Sequence, residues 1–331
     1  MVSHFPGKVV HGGSGKLQQE KTHKKVLDFS ASVNPYPPRV DWHCDPADLA
    51  VYPDDNYTQL KESIAHEYHR DPCEICVGNG SIELIRVFCS VTMHANRKYF
   101  CDQPTFGEYD LSARLAGASG SADPASADVV FLCNPNNPTG ILQQKAEVLD
   151  RLETIPHEAM LFCDEAFIDL SDPRQSLSGT RDPRLFVLQS LTKSFAVPGI
   201  RFGFGFGDPE LVRRIETVRP PWSVNAYAET FAIAALRHRG ELEKSRILIG
   251  KARDRLRERI SALGLHPYDS SANYILIDCG MDVSPLCERI MQRGVLVRDG
   301  TSFGLPTFIR VAVRTNEENE ILIEALRLCL S

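Results

Sequence analysis

The chain has 331 residues, 43% of them hydrophobic and 24% charged, with a formal net charge of -6 at pH 7. That length supports two core-forming units. No run of about 18 uncharged apolar residues offers a membrane span, and the negative balance argues against a nucleic-acid partner while leaving room for a small anionic substrate bound by local arginines. The first residues, Met1 to Lys8, lack the apolar run of a secretion signal, and the cysteines fall mostly in apolar runs (Cys89, Cys133, Cys163, Cys279), as reduced core thiols of a cytoplasmic protein do. In chain order, apolar runs near 75–78, 97–101, 128–133, 159–164, 185–190 and 201–206 predict buried strands, with amphipathic segments or loops between most of them. After the first, the glycine-rich turn Val77-Gly78-Asn79-Gly80-Ser81 opens an apolar-periodic helix from Ile82 to Val91. Cys73 and Cys76 have Cys-x-x-Cys spacing but no second pair nearby, so no metal site is expected. A long helical stretch runs from about Asn225 to Leu263, interrupted at Gly240. Strands at Asn273–Ile277, Gly294–Val297 and Phe308–Val313 and a helix from Asn316 to Leu330 follow. This alternation predicts an α/β chain: a doubly wound, mostly parallel sheet followed by a smaller α+β unit.

Three segments carry chemistry. Lys193 lies in Ser190-Leu191-Thr192-Lys193-Ser194, with Arg201 eight residues on. An amine there can condense with an aldehyde, while the flanking hydroxyls and the guanidinium can hold a phosphate. Pyridoxal phosphate needs both at once. Asp164 closes the apolar run Ala159–Cys163 and is placed to face a ligand crevice, where a carboxylate keeps a pyridine nitrogen protonated. Asn137 lies in the turn Asn134-Pro135-Asn136-Asn137-Pro138 and can donate to a phenolate oxygen. The helix opening at Gly80 and Ser81 favours a phosphate through its exposed amides and dipole.

Over essentially its whole length the chain resembles the class I/II aminotransferase group of fold-type I pyridoxal-phosphate enzymes. The resemblance implies a seven-stranded-type sheet in a large domain of residues 45–225, and a small domain of residues 1–44 and 226–331 whose N-terminal arm lines the site. It implies that Lys193 forms the Schiff base, Asp164 pairs with the pyridine nitrogen and Asn137 with the ring hydroxyl. Ser190, Thr192, Arg201 and the amides of Gly80 and Ser81 then hold the phosphate, and Phe106 stacks on the ring. Tyr52 matches a residue that reaches the neighbouring subunit's phosphate, which implies a homodimer with shared active sites. Within the group, Phe167 stands where most members carry a tyrosine. Asp164-Glu165-Ala166-Phe167-Ile168-Asp169, Phe106 with Glu108-Tyr109, His11-Gly12-Gly13 and Phe308–Thr315 are similar to the threonine-phosphate decarboxylases of cobalamin biosynthesis, although Ser14 replaces their usual asparagine. That likeness implies that His11, Gly12, Asn34, Asn137, Arg298 and Arg310 meet a small phosphorylated amino acid. The expected reaction is decarboxylation of O-phospho-L-threonine to (R)-1-amino-2-propanol phosphate. Phosphoserine decarboxylation and a histidinol-phosphate-type transamination are the alternatives, and the complete cofactor set argues against a non-enzymatic binding module.

Overall fold

The computed structural model describes residues 6–330. Met1–Phe5 of the arm and Ser331 of the C-terminal segment lie outside those residues. A seven-stranded sheet carries the strands in the order Ile75–Gly78, Gly203–Phe206, Leu185–Gln189, Met160–Asp164, Val129–Cys133, Lys98–Cys101 and Ser119–Gly120. Only Gly203–Phe206 runs against its neighbours. Both faces are covered, as a mostly parallel sheet requires. Val130, Leu132, Leu161, Cys163 and Val187 join one apolar cluster, whereas Val129, Phe131, Phe162, Phe186 and Leu188 join the other. Strand alternation splits these continuous apolar runs between the two faces.

The strand directions decide what can meet. The carboxyl ends of Ile75–Gly78, Val129–Cys133, Met160–Asp164 and Leu185–Gln189 share one edge, so the turns after them project Ser81, Asn137, Asp164 and Lys193 on the same side. Because Gly203–Phe206 is antiparallel, its amino end, with Arg201 just before it, lies at that edge as well. The sequence places the Ser119–Gly120 edge strand in a loop; its two exposed residues carry no apolar period.

A four-stranded antiparallel sheet follows in the order Arg298–Asp299, Phe308–Ala312, Tyr274–Asp278 and His266–Pro267. Leu27–Asp28 of the N-terminal arm pairs in parallel with Val295–Leu296, and the Ala312 amide donates to the Phe29 carbonyl at 2.8 Å. The strand expected over Gly294–Val297 is only Val295–Leu296, and a second short strand, Arg298–Asp299, follows it and serves a different partner. The helical stretch from Asn225 to Leu263 is likewise two helices, Ala226–Leu236 and Leu242–Ser261, separated by a tight turn at Arg239–Glu241. The first begins where the Asn225 side chain accepts from the Ala228 amide at 2.9 Å. One apolar cluster runs from the large sheet through Phe231, Ile249 and Leu256 to Ile275 and Val311, joining both sheets. Among the described residues, no helix is long and apolar enough to cross a membrane, and the cysteines are free thiols, with Cys76 inside its strand and directed at the Gly205 carbonyl.

Candidate active site

A cavity of about 530 Å³ opens at the shared strand edge, between the large sheet, the small sheet and the N-terminal arm. Asp164 lines its floor and is 4% exposed. Its Oδ2 accepts from the Tyr109 hydroxyl at 2.7 Å and its Oδ1 from the Ala166 amide at 2.9 Å. Burial pushes its pKa up, opposed by these two donors and by the Lys193 charge. The adjacent Glu165 has a different fate. It points away from the cavity and accepts from Ser176 Oγ (2.5 Å), the Leu177 amide (2.6 Å) and Gln189 Nε2 (2.7 Å). Burial raises its carboxyl to about 7. The sequence places Asp164 at a ligand crevice, and here it lines the cavity, while Glu165, one residue beyond the strand, turns away from it.

Lys193 sits in the short helix Leu191–Ser194, which Ser190 caps. Its Nζ lies 5.8 Å from the centre of the Phe167 ring, and that ring packs edge-on against Tyr274. Burial, then the charges of Arg310 and Arg201, lowers its pKa from 10.5 to about 8. An amine so placed exchanges a proton near neutral pH, which an exposed lysine does not.

One end of the cavity is built for an anion. The amides of Ser81 and Ile82, both in its lining, open the Ser81–Thr92 helix and have no partner within it. Gly80 has φ +81°, and a Cβ there would lie 2.3 Å from Arg201 Nη2. Only glycine lets the guanidinium approach so closely. The Gly80 amide itself donates to the Gly78 carbonyl at 2.8 Å. It is therefore spent within the turn, and the helix offers Ser81 and Ile82 instead. Thr192 lines the cavity, while Ser190 lies just behind it with its Oγ 2.9 Å from Thr192 Oγ1. Arg201, at φ +58°, is anchored by Nη1 on the Pro198 carbonyl at 2.9 Å.

The opposite wall carries Arg298 and Arg310, cross-strand partners on the small sheet. Arg310 donates through Nη1 to Asn137 Oδ1 and through Nη2 to the Ser30 carbonyl at 2.9 Å, and its buried Nε has no partner. Burial pulls its pKa down to about 10. Asn137 spends its oxygen on Arg310, which leaves its amide nitrogen as the donor. Arg298 Nη2 donates to the Val10 carbonyl at 2.7 Å and to Ser302 Oγ at 2.5 Å. His11, Gly12 and Phe106 line the mouth, with the His11 and Phe106 ring centres 5.8 Å apart.

Besides Gly80 and Ser190, which adjoin the lining without being part of it, two anticipated residues stand elsewhere. Asn34 is not in the cavity's lining: its Nδ2 donates to the Ser194 carbonyl at 2.7 Å, its Oδ1 accepts from the Tyr36 amide at 2.8 Å, and its own amide donates to the Lys193 carbonyl at 2.9 Å. It braces the lysine turn and does not line the cavity. Tyr52 is also outside the lining. It is 79% exposed and packs on Trp222 with ring centres 4.5 Å apart. Conversely, Tyr109, Asp28, Ser30 and Arg314 line the cavity; they lie in segments that carry the family resemblance, but the sequence assigns none of them a site role. A signal for Tyr109 does exist, since it lies three residues beyond Phe106 in a helix opening. The Arg314 guanidinium is held by Glu318, through Nε at 3.0 Å and Nη2 at 2.8 Å.

These residues suit pyridoxal phosphate on their own geometry: a buried acid at the floor, an amine with a depressed pKa and an anion cradle that a single Cβ would fill. A family model described as aminotransferase class I and II matches residues 13–122 and 119–326. The chain is 30% identical to a histidinol-phosphate aminotransferase of Moorella thermoacetica over 349 residues, covering 98% of this chain and 89% of that one. It is 33% identical to a putative threonine-phosphate decarboxylase of Caldanaerobacter subterraneus subsp. tengcongensis over 334 residues, covering 90% and 88%. The crystal structure of the histidinol-phosphate aminotransferase from Clostridium acetobutylicum superposes with a TM-score of 0.81 at 28% identity, covering 92% of this chain and 99% of that one. The chain therefore belongs to the class I and II aminotransferases, fold-type I enzymes that work with pyridoxal 5'-phosphate.

Proposed function

We propose that this enzyme decarboxylates a phosphorylated amino acid, O-phospho-L-threonine, to (R)-1-amino-2-propanol phosphate for the nucleotide loop of a corrinoid. The observation that carries this reading is the Arg298–Arg310 pair, set side by side across two strands on the wall of the cavity that holds Lys193. A substrate bearing both a carboxylate and a phosphate needs two such cationic handles. The 33% identity to a putative threonine-phosphate decarboxylase supports the same choice.

When bound, pyridoxal phosphate supplies an aldehyde for the substrate amine and an electron-accepting ring. Asp164, held by Tyr109, would face its pyridine nitrogen, Ser81, Ile82, Thr192 and Arg201 would hold its phosphate, and Asn137 would donate to its ring oxygen. Arg310, locked by Asn137 and the Ser30 carbonyl, grips the substrate carboxylate and fixes its rotation. Arg298 and His11 face the substrate phosphate. The carboxylate leaves as CO2, and Lys193 Nζ delivers the proton that takes its place at Cα. We also infer a homodimer. Val51, Tyr52 and Trp222 form an exposed apolar patch that a second copy would cover.

A second reading, transamination of histidinol phosphate, is favoured by the 30% identity to histidinol-phosphate aminotransferases along nearly the whole chain. Incubating the holoenzyme with phosphothreonine and no oxo acid separates the two. Catalytic CO2 release supports decarboxylation. Turnover that requires 2-oxoglutarate and forms glutamate replaces it with transamination.

A further inference from the structure

The N-terminal arm crosses the cavity mouth, where its backbone is tied to the small sheet through Arg298 and to its own later residues Asp28 and Ser30. The Val10 carbonyl accepts from Arg298 at 2.7 Å, the Gly13 amide donates to Ser30 Oγ at 2.8 Å, and the Gly15 amide donates to Asp28 Oδ2 at 2.9 Å. Its hold on the opposite wall is a side chain. His11 Nε2 donates to Glu108 Oε1 at 2.8 Å, across 97 residues of sequence. Glu108 opens the Glu108–Leu115 helix and is only 4% exposed, while the His11 side chain is 42% exposed. The other Glu108 oxygen accepts from Arg86 Nη2 at 2.6 Å.

We propose that Glu108 is a positioning residue that acts through His11: it fixes the ring beside Phe106 so that, in the imidazolium form, Nδ1–H is the donor left for the phosphate of the substrate. The phosphate in this assignment rests on the function proposed above; the coupling between Glu108 and His11 does not. Three features support it. A carboxylate kept out of water needs paired donors, and Glu108 has two, one from each side. Its hydrogen bond with His11 comes first among the causes that hold its carboxyl below the ordinary range, with burial opposing and Arg86 assisting. With Nε2 committed, the exposed half of the ring faces a cavity whose other charged lining groups are the cations Lys193, Arg201, Arg298, Arg310 and Arg314 and the acids Asp28 and Asp164. The positive excess suits an incoming dianion. Arg86 serves as the fixed counter-charge beneath and does not line the cavity.

The test is a double-mutant cycle on the holoenzyme. Glu108→Gln and His11→Ala should each raise KM for the phosphorylated amine that turns over by about tenfold, the scale of one charge-assisted hydrogen bond. The value of kcat should stay within about twofold. In the His11→Ala background, Glu108→Gln should add nothing further. Independently of turnover, hydrogen exchange of the Gly12–Gly15 amides in substrate-free holoenzyme should quicken in both variants and equally in the double variant. Effects that multiply in the cycle, or exchange unchanged by Glu108→Gln, overturn the proposal, because Glu108 would then act through Arg86 or through the fold. If no phosphorylated amine turns over, the proposed function fails, and the exchange measurement still decides the coupling.

Discussion

Lys193 offers a stability test of the site's electrostatics that needs no substrate. In the folded chain its pKa drops from 10.5 to about 8, because burial and then the Arg310 and Arg201 charges disfavour the ammonium. Between those values the unfolded chain binds more protons than the folded one, so stability rises with pH across that window. The destabilisation is fully present below pH 8. At about 1.4 kcal/mol for each pH unit that separates the two values, it amounts to about 3 kcal/mol. Lys193→Met fills similar space without charge and should remove it. The nearby Asp164 loses an attractive partner in that variant and offsets part of the gain, which leaves about 2 kcal/mol at pH 7. Denaturant unfolding of the cofactor-free proteins at equal concentration measures this, and the difference should shrink towards zero by about pH 10.5. If Lys193→Met were no more stable than the parent at pH 7, or its advantage did not fade with rising pH, a buried ammonium would not be what destabilises the fold.

Other substitutions probe the cofactor contacts. Gly80→Ala puts a Cβ 2.3 Å from the Arg201 guanidinium at a left-handed φ. It should weaken pyridoxal-phosphate retention by tenfold or more, about 1–3 kcal/mol from backbone strain alone, as read by cofactor titration with circular dichroism preserved. Tyr109→Phe removes the hydroxyl that donates to Asp164 at 2.7 Å. With one donor lost, the Asp164 carboxyl should move further up, and cofactor affinity should fall by about 1.5–3 kcal/mol. The loss should grow as pH falls, because the carboxyl is then protonated more readily. A loss that stays flat as the pH is lowered until the carboxyl is protonated would count against Asp164 acting as an anion.

The sequence by itself picks out which residues stand at the strand edge. Lys193, Asp164, Asn137, Gly80 and Arg201 each follow or precede an apolar run, where local turn composition marks a junction and a charged group has no reason to lie in a core. The coarse alternation of strand and helix was equally legible, since it depends on periodicity along the chain. The tertiary structure decided everything that depends on what faces what. The reversed direction of Gly203–Phe206 brings Arg201 to the edge shared by the other strands, and no local pattern encodes a strand's direction. Glu165, one residue beyond Met160–Asp164, turns behind the sheet to Ser176, Leu177 and Gln189, partners that only packing supplies. Tyr109 meets Asp164 across 55 residues, and Asn34 reaches the Lys193 turn across about 160, so only packing reveals those partners. Side-chain periodicity is a property of neighbours in sequence, whereas a site is a property of neighbours in space, and the long-range hydrogen bonds that join the two are chosen only when the chain has folded.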